Sequence, residues 1–353
     1  MRLSFWSAVF FAVCCVAVLA AQEQPASNEE PIHTLHVYTN LVQVPTLVLQ
    51  GNRQPLTTQI SEKRFSVSID SGPWFQVTHV RLEGNDRISM SILLDTNAKD
   101  FMPGISNDIA GMAPASLTAR DHVSIYAMDC GLIRGLNDVP ADREMLKRGA
   151  DAVLKQWTAR KGKKDSACKR PVSLWDSLGF LASELAKLPG RRVIVVVSDG
   201  RDRGSARTWN EVRSYMQAEG VAVFGVSYIP IVLSGWSAFM PAGKDAYAFQ
   251  AICELSGGMV STIYPSLTAK TLQRLVTMMR GRYIVEFPRP SNSTAGAHDM
   301  RVKITKGEDA FVRPSGISIP MPDPELEKDP STIHTDTAVA PEQGNRRILT
   351  NPK

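Results

Sequence analysis

Two carboxylates in this sequence stand directly after runs of apolar, β-favouring residues. Asp95 follows "SILL", and Asp199 follows "VVVS". In an open α/β sheet the ligand-binding loops follow the carboxyl ends of the strands, so the two carboxylates are predicted to line one crevice. Asn97 adds an oxygen of the kind that hard divalent cations accept as a ligand. The pattern therefore indicates either a working metal site or the remains of one.

A lysine interrupts this candidate site, in the segment "DTNAKD". The Lys99 ammonium has three donors and no acceptor, so it cannot be a metal ligand. Three outcomes are open. The crevice binds a divalent ion; or Lys99 pairs with one of the carboxylates in place of a metal; or Lys99 points into water and the site is empty. Our hypothesis is the second, because an ammonium neutralises carboxylates much as a metal does.

Alternating strands and helices are needed to bring the two strand ends together. From Ile88 onward the sequence has this alternation, and Val193 to Val197 is the continuous apolar run of a parallel strand buried on both faces. The pattern predicts an α/β fold with a doubly wound, mostly parallel sheet over residues 86–288. The predicted strands are "RISMSILLD", "HVSIYAMD", "RRVIVVVSD", "VAVFGVSYI", "GMVSTIY" and "RYIVEF", with five helical segments between them.

The regions on either side of this domain divide into five parts. Residues 1–21 have the apolar run of a secretory signal, with a retained membrane anchor as the alternative, and residues 22–31 form a polar, flexible leader. Residues 32–84 alternate apolar and polar residues, which predicts a small β-rich domain. A β hairpin at 298–318 is expected to pack on that unit, and the proline-rich residues 320–353 are predicted to be disordered.

Composition and cysteine usage exclude several classes of protein. The chain of 353 residues is 43% apolar with a net charge of +5, and its one dense basic run, Arg160 to Arg170, is interpreted as a solvated loop. After the signal, Cys130, Cys168 and Cys253 remain, so at most one disulfide can form within the chain. Cys130 and Cys253 are interpreted as buried apolar residues. A disulfide-built fold and a zinc-built fold are therefore excluded.

The motifs "SILLDTNAKD" and "VIVVVSDGRDRGS" resemble the first and last motifs of a von Willebrand factor A domain. The blocks "KRFSVSIDSGPWFQVTHV", "PVSLWDSLGFLASEL", "RYIVEFP" and "MRVKITKGEDAFVRPSG" extend the resemblance to the VWFA-related proteins of acidobacteria, over residues 35–318. The resemblance implies a Rossmann-like A domain with flanking β regions. It also implies a metal-ion-dependent adhesion site, which such domains build from D-x-S-x-S, a threonine on a second loop and an aspartate on a third.

Matched residue by residue, the adhesion site that the resemblance implies is degenerate. Asp95 and Asp199 match the first and the third-loop aspartates. Asn97 stands at the first serine, and its amide oxygen can still ligate a cation. Lys99 stands at the second serine, and Val172, which has no side-chain oxygen, stands at the threonine. The expectation is therefore no cofactor, with Mg²⁺ as the alternative.

Other polar residues near these motifs are open to two interpretations each. Ser173 would need a shift of register to replace the missing threonine. Asp202 could reach the crevice, or it could interact with Arg201 and Arg203 in a solvated loop. Asp176 lies one turn into a predicted helix, where a carboxylate is favoured by the helix dipole.

The predicted function is a secreted or periplasmic protein-binding module, of the adhesion or scaffold type, that needs no tightly bound divalent ion. The alternatives are a structural component of the cell envelope and metal-dependent adhesion. Because the sequence has no G-x-S-x-G, H-E-x-x-H or glycine-rich phosphate loop, an enzyme is not expected. Nucleic acid and small-molecule cofactors are not expected, and membrane contact is expected only if the signal is retained. Trp236 and Phe239 lie in a long loop that could bind a partner or pack on the domain.

Overall fold

Strands and helices alternate along the middle of the chain, between antiparallel strands contributed by both ends. The computed structural model describes residues 41–160, 173–228, 244–290, 296–306, 310–319 and 344. In chain order the elements are β1 (Leu41–Leu49), β2 (Phe65–Ile69), β3 (Phe75–Gln76), β4 (His79–Leu82), β5 (Ile88–Asp95), α1 (Ile105–Ala110), β6 (His122–Met128), β7 (Leu132–Pro140), α2 (Arg143–Arg160), α3 (Leu174–Ala186), β8 (Arg191–Val197), α4 (Trp209–Ala218), β9 (Val221–Tyr228), α5 (Lys244–Leu255), β10 (Met259–Ile263), α6 (Thr268–Arg280), β11 (Tyr283–Pro288), β12 (Gly296–His298), β13 (Met300–Ile304), β14 (Phe311–Pro314) and β15 (Ile317–Ile319).

The central sheet has six strands in the order β10-β9-β8-β5-β6-β7. All neighbours are parallel except β6 and β7, which are antiparallel. This confirms the predicted doubly wound, mostly parallel sheet. Its edge strand β7 was not predicted, because "LIRGLNDVP" is only partly buried and its pairing with β6 is irregular. The strand β5 lies between β8 and β6, and all eight of its residues are buried.

Helices cover both faces of this sheet, as the pleat of the central strand requires. Along β5, Ile92 and Leu94 face a core cluster that includes residues of α1, α2 and α6, whereas Leu93 faces a second cluster with α3, α4 and α5. Because successive side chains of a strand point to opposite faces, one strand contributes to both cores. This double burial fixes where β5 ends, and hence where Asp95 lies.

A separate β unit is assembled from the two ends of the chain. A four-stranded sheet has the order β14-β1-β11-β4, and a three-stranded sheet has the order β13-β2-β3. The strands β12 and β15 form a further pair. Apolar side chains of β1, β2 and β11, among them Val44, Phe65 and Val285, form the core between the two larger sheets.

Two pairings in this unit differ from the sequence-based expectation. The residues of β11 were assigned to the α/β domain at 86–288, but β11 pairs with β1 and β4. The stretch 298–318 was expected to form a hairpin, but β13 pairs with β2 and β14 pairs with β1. An alternating pattern shows which residues form a strand, but it does not show which strand is the partner.

The two cysteines in the described residues agree with the sequence-based expectation only in part. Cys253 is buried and free, as expected, but Cys130 is exposed and disulfide-bonded, so its interpretation as a buried apolar residue was wrong. None of the helices in the described part of the chain is long and apolar enough to cross a membrane. The predicted signal, leader and tail lie outside the described residues, apart from Gly344 in the tail.

Candidate functional site

The carboxyl ends of three adjacent parallel strands form one crevice. Asp95 is the last residue of β5, while Asp199 and Asp129 lie just beyond the ends of β8 and β6. The loop after β5 is tied to β6, because the Thr96 backbone N–H and its hydroxyl both donate to the Met128 carbonyl, at 3.1 and 2.9 Å. The structure therefore brings Asp95 and Asp199 together as the strand ends predicted.

Asp95 lies at the bottom of the crevice and is fully buried. Its Oδ1 accepts from the Asn97 backbone N–H at 2.9 Å and from the Asn97 side-chain amide at 2.8 Å. Its Oδ2 accepts from the Ser198 hydroxyl at 2.8 Å. Burial raises the pKa of Asp95 above its ordinary value, although the hydrogen bonds from Asn97 and Ser198 oppose the change and Asp199 adds to it.

Arg203 joins Asp95 and Asp199, the two aspartates of the degenerate site. Its Nη2 lies 2.6 Å from Asp199 Oδ2 and its Nη1 lies 3.4 Å from Asp199 Oδ1, a two-pronged contact. The same Nη1 lies 3.7 Å from Asp95 Oδ2. Partial burial alone would lower the pKa of Arg203, but the hydrogen bonds and charge of Asp199, with the charge of Asp95, raise it. The guanidinium therefore stays charged between the two carboxylates.

Lys99 does not fill the role that was predicted for it. Its side chain is exposed, and it forms no ion pair with any residue in the described ranges. The cation beside Asp95 and Asp199 is Arg203, which the sequence suggested only as a loop partner of Asp202. The sequence signal for this contact was the spacing of four residues between Asp199 and Arg203. The segment also contains Gly200 and Gly204, which allow a tight turn.

Asp202 caps a helix and does not line the crevice. Its Oδ1 accepts from the backbone N–H groups of Leu174 and Trp175 at the start of α3, at 2.8 and 3.3 Å. Both of its oxygens also accept from Ser205. Burial alone would raise the pKa of Asp202, but the hydrogen bonds from Ser205, Gly204 and Trp175 lower it. The expected contacts with arginines are thus replaced by a cap on the α3 N-terminus.

The first turn of α3 holds the loop that carries Asp199 and Arg203. Asp176 lies in that turn, as predicted, and its carboxylate accepts from the backbone N–H groups of Ala206 and Arg207, at 2.8 and 3.1 Å. Ser173 precedes the helix, and its hydroxyl makes no hydrogen bond to the described residues. Val172 lies outside the described residues.

A divalent ion does not fit this donor set. Each Asp95 oxygen and each Asp199 oxygen already accepts a hydrogen bond, and a guanidinium stands where the positive charge would be. Mg²⁺ requires near-octahedral oxygen ligands. Across the described part of the chain, no three side chains of His, Cys, Asp or Glu are grouped so that they could hold a metal.

Exposed apolar side chains lie along the same edge of the sheet as the crevice. Tyr264 follows β10 and is 45% exposed, and Leu267 in the next turn is 46% exposed. Tyr247, in the first turn of α5, is 67% exposed. Because β10 and β9 are parallel to β8, these residues and the crevice share the carboxyl edge. Trp236 and Phe239, which could bind a partner or pack on the domain, lie outside the described residues.

Comparisons with known proteins find similarity to solved structures. No family model and no curated protein matches the sequence. Proximal thread matrix protein 1 from the mussel byssus has a TM-score of 0.41 at 11% identity, with coverage of 66% of this chain and 50% of that one. BatB from Bacteroides thetaiotaomicron has a TM-score of 0.40 at 13% identity, covering 54% and 98%. Manganese-loaded TRAP from Plasmodium vivax has a TM-score of 0.39 at 11% identity, covering 69% and 98%.

These three neighbours are von Willebrand A-domain proteins. The match to the byssus protein spans about half of that protein's length. At such identities and TM-scores the similarities carry no information about a metal or a partner.

Proposed function

We propose that this protein is an exported protein-binding module, of the adhesion or scaffold type, which recognises a protein partner through the carboxyl edge of its central sheet. The observation that supports this is the exposure of Tyr247, Tyr264 and Leu267 along the same edge of the sheet as the charged crevice. Exposed aromatic and aliphatic side chains next to a polar rim are typical of surfaces that bind proteins.

Recognition at this edge does not depend on a tightly bound divalent ion. The crevice carboxylates are already hydrogen-bonded, and their positive partner is Arg203. The module thus works without a cofactor. Neither nucleic acid nor a small-molecule cofactor is part of the proposal, and membrane contact belongs to it only if the signal segment is retained.

Catalysis is not part of the proposed function. Ser198 is the hydroxyl nearest to the crevice carboxylates, but it is fully buried and donates to Asp95. A nucleophilic serine needs a base that accepts its proton and a path for the substrate. The described histidines with side-chain partners contact Glu62, Asp138 and Asp70, all outside the crevice.

The proposed location outside the cytoplasm has support beyond the signal-like N-terminus. Cys130 lies just beyond the end of β6 and is disulfide-bonded. Structural disulfides persist mainly in oxidising compartments such as the periplasm and the extracellular space. A disulfide at this position supports export.

Capture of the partner from an envelope extract of the source cells tests the proposal. The purified protein is immobilised, and retained proteins are compared between Mg²⁺ and EDTA buffers. The test variant is Tyr264→Ser with Leu267→Ser. The matched control is Tyr215→Ser, which removes a tyrosine of similar exposure, 39%, from the C-terminal half of α4.

We expect one protein to be retained equally in both buffers, to be lost with the double variant, and to be kept with Tyr215→Ser. Retention that disappears in EDTA would contradict metal-free recognition. Retention that survives the double variant, or no specific retention in either buffer, would contradict the proposed surface.

A further inference from the structure

We infer that Arg203 is a built-in cation, which occupies the place of a divalent ion in the crevice and excludes such an ion from it. The inference deepens the proposed function, because it supplies the reason for metal-free recognition. Its evidence is the disagreement between the donor set and a metal: both candidate metal ligands, Asp95 and Asp199, face one guanidinium.

The loop holds the guanidinium in a fixed position. Arg203 donates to both oxygens of Asp199, and its Nη1 also donates to the Arg201 carbonyl at 3.2 Å. Gly200 and Gly204 have φ values of +75° and +101°, so the backbone can turn sharply on both sides of this segment. The Arg201 backbone N–H donates back to Asp199 Oδ1 at 3.0 Å. The loop thereby forms a closed ring of contacts around Asp199.

The charges explain why a divalent ion would be kept out. Asp199 has its two oxygens on the guanidinium, and Asp95 has one oxygen 3.7 Å from it. A divalent ion bound between the same carboxylates would lie within a few ångströms of a fixed positive charge. It would also have to replace hydrogen bonds from Asn97 and Ser198 to Asp95. Arg203 is partly buried, so solvent screens this repulsion only in part.

Exposed cations of the same loops lack this arrangement. Lys99 and Arg201 are exposed and make no ion pair with residues of the described ranges. They carry the same charge as Arg203 and lie in the loops after β5 and β8, but they lack its contacts. They are therefore matched controls for the effect of removing one positive charge near the crevice.

A calorimetric titration with Mn²⁺ tests the inference. The full chain is first freed of bound metals, and Mn²⁺ is then added to it in the calorimeter. The variants are Arg203→Ala and Arg203→Gln, with Lys99→Ala and Arg201→Ala as controls. We expect wild type and both controls to show no binding. Removal of a unit charge a few ångströms from a divalent ion should tighten binding at least about tenfold, so that the Arg203 variants bind Mn²⁺. Asp199→Asn, added to Arg203→Ala, should abolish the gained binding.

Mn²⁺ binding by wild type as tight as that of the Arg203 variants would overturn the inference. So would the absence of binding by both variants, and so would an equal gain in Arg201→Ala. Arg203→Gln keeps most of the side-chain volume and some donors, so it remains informative if Arg203→Ala does not fold. The titration needs no partner. A negative titration would not contradict the proposed protein-binding function. A failed capture experiment would not contradict the inference about Arg203.

Discussion

Arginine–carboxylate networks lie at opposite edges of the central sheet, and they differ mainly in burial. At the carboxyl edge, the side chains of Arg203 and Asp199 are 27% and 26% exposed. At the amino edge, those of Arg282 and Glu83 are 2% and 1% exposed, and Arg191 joins them. The two networks use the same chemical groups, so the difference in surroundings separates their roles.

The amino-edge network joins the β unit to the α/β sheet. Glu83 follows β4, Arg282 precedes β11, and Arg191 begins β8. Arg282 Nε and Nη2 donate to the two Glu83 oxygens at 2.7 and 3.0 Å, and Arg191 Nε lies 2.9 Å from Oε1. Burial lowers the pKa of Arg191, against the opposing effect of Glu83 and Asp86. This network serves the assembly of the fold.

Burial decides what happens when an arginine–carboxylate pair loses one of its partners. When a buried ion pair loses one partner, the remaining charge has no water to solvate it, and the fold is destabilised. When a partly exposed pair loses one partner, water or another ion can replace it. Substitutions at the amino edge are therefore expected to change the free energy of unfolding, and substitutions at the carboxyl edge are expected to change what the protein binds.

The largest loss of stability is expected for Glu83→Gln. The substitution leaves Arg282 buried without its carboxylate and removes the buried partner of Arg191, which should lower the free energy of unfolding by about 3–5 kcal/mol. Urea unfolding followed by circular dichroism measures it. Asp86→Asn is the control, because Asp86 contacts Arg191 but is 53% exposed. A loss for Glu83→Gln no greater than that for Asp86→Asn would break the comparison.

A smaller loss is expected for Asp202→Ala at the carboxyl edge. Removal of a carboxylate that caps a helix should cost about 1–2 kcal/mol in the same unfolding experiment. Because the pKa of Asp202 is lowered below 3.8 in the folded state, its contribution is present above pH 3.8 and disappears as the pH falls through the folded value. Asp100→Ala, which removes an exposed carboxylate of the same edge, should have little effect on the free energy of unfolding. Equal losses for the two variants would show that the cap is unimportant.

The opposite dependence on pH is expected for Asp95→Asn. The pKa of Asp95 is raised above 3.8 in the folded state, so wild type loses stability from this group as the pH rises from 3.8 through the folded value. The variant lacks that titration. Its stability relative to wild type should therefore increase over this interval and become constant above it. Urea unfolding at a series of pH values measures the difference, and a decrease with rising pH would contradict the raised pKa.

The smallest effect is expected for Lys99→Ala. An exposed side chain without an ion pair to the described residues should leave the unfolding midpoint unchanged. Thermal unfolding of Lys99→Ala beside Arg203→Ala gives the measurement. If Lys99→Ala were the more destabilised of the two, Lys99 and not Arg203 would be the cation that matters at this edge.

The sequence was sufficient for the parts of the fold that depend on apolar pattern. The strand β8 contains the continuous apolar run Val193–Val197, and β5 is mostly apolar and ends in Asp95. The ends of both strands, and the positions of Asp95 and Asp199, could therefore be predicted. The edge strand β7 and the pairing of β11 could not, because partial burial weakens the pattern and pairing is set by distant strands. The parallel sheet was therefore predictable, and the β unit only in outline.

The contacts of the candidate site were less predictable than its position. Which cation lies between the two aspartates depends on the path of the loop after β8 and on its anchorage to α3 through Asp202 and Asp176. The spacing of four residues between Asp199 and Arg203 allows their contact, but it determines neither the path of the loop nor its anchorage. Lys99 was the nearer cation to Asp95 in the chain, and Arg203 is the nearer one in space.

The contact between Glu83 and Arg282 has a consequence for the order in which the chain can fold. The two residues are 199 positions apart, and the whole α/β sheet lies between them. During synthesis β1 to β4 leave the ribosome first, but they lack β11, β13 and β14 until almost all of the chain has been made. We therefore expect the α/β domain, which lies between the two parts of the β unit in sequence, to fold first. The sheets of the β unit should form last, when β11, β13 and β14 pair with the strands made at the start.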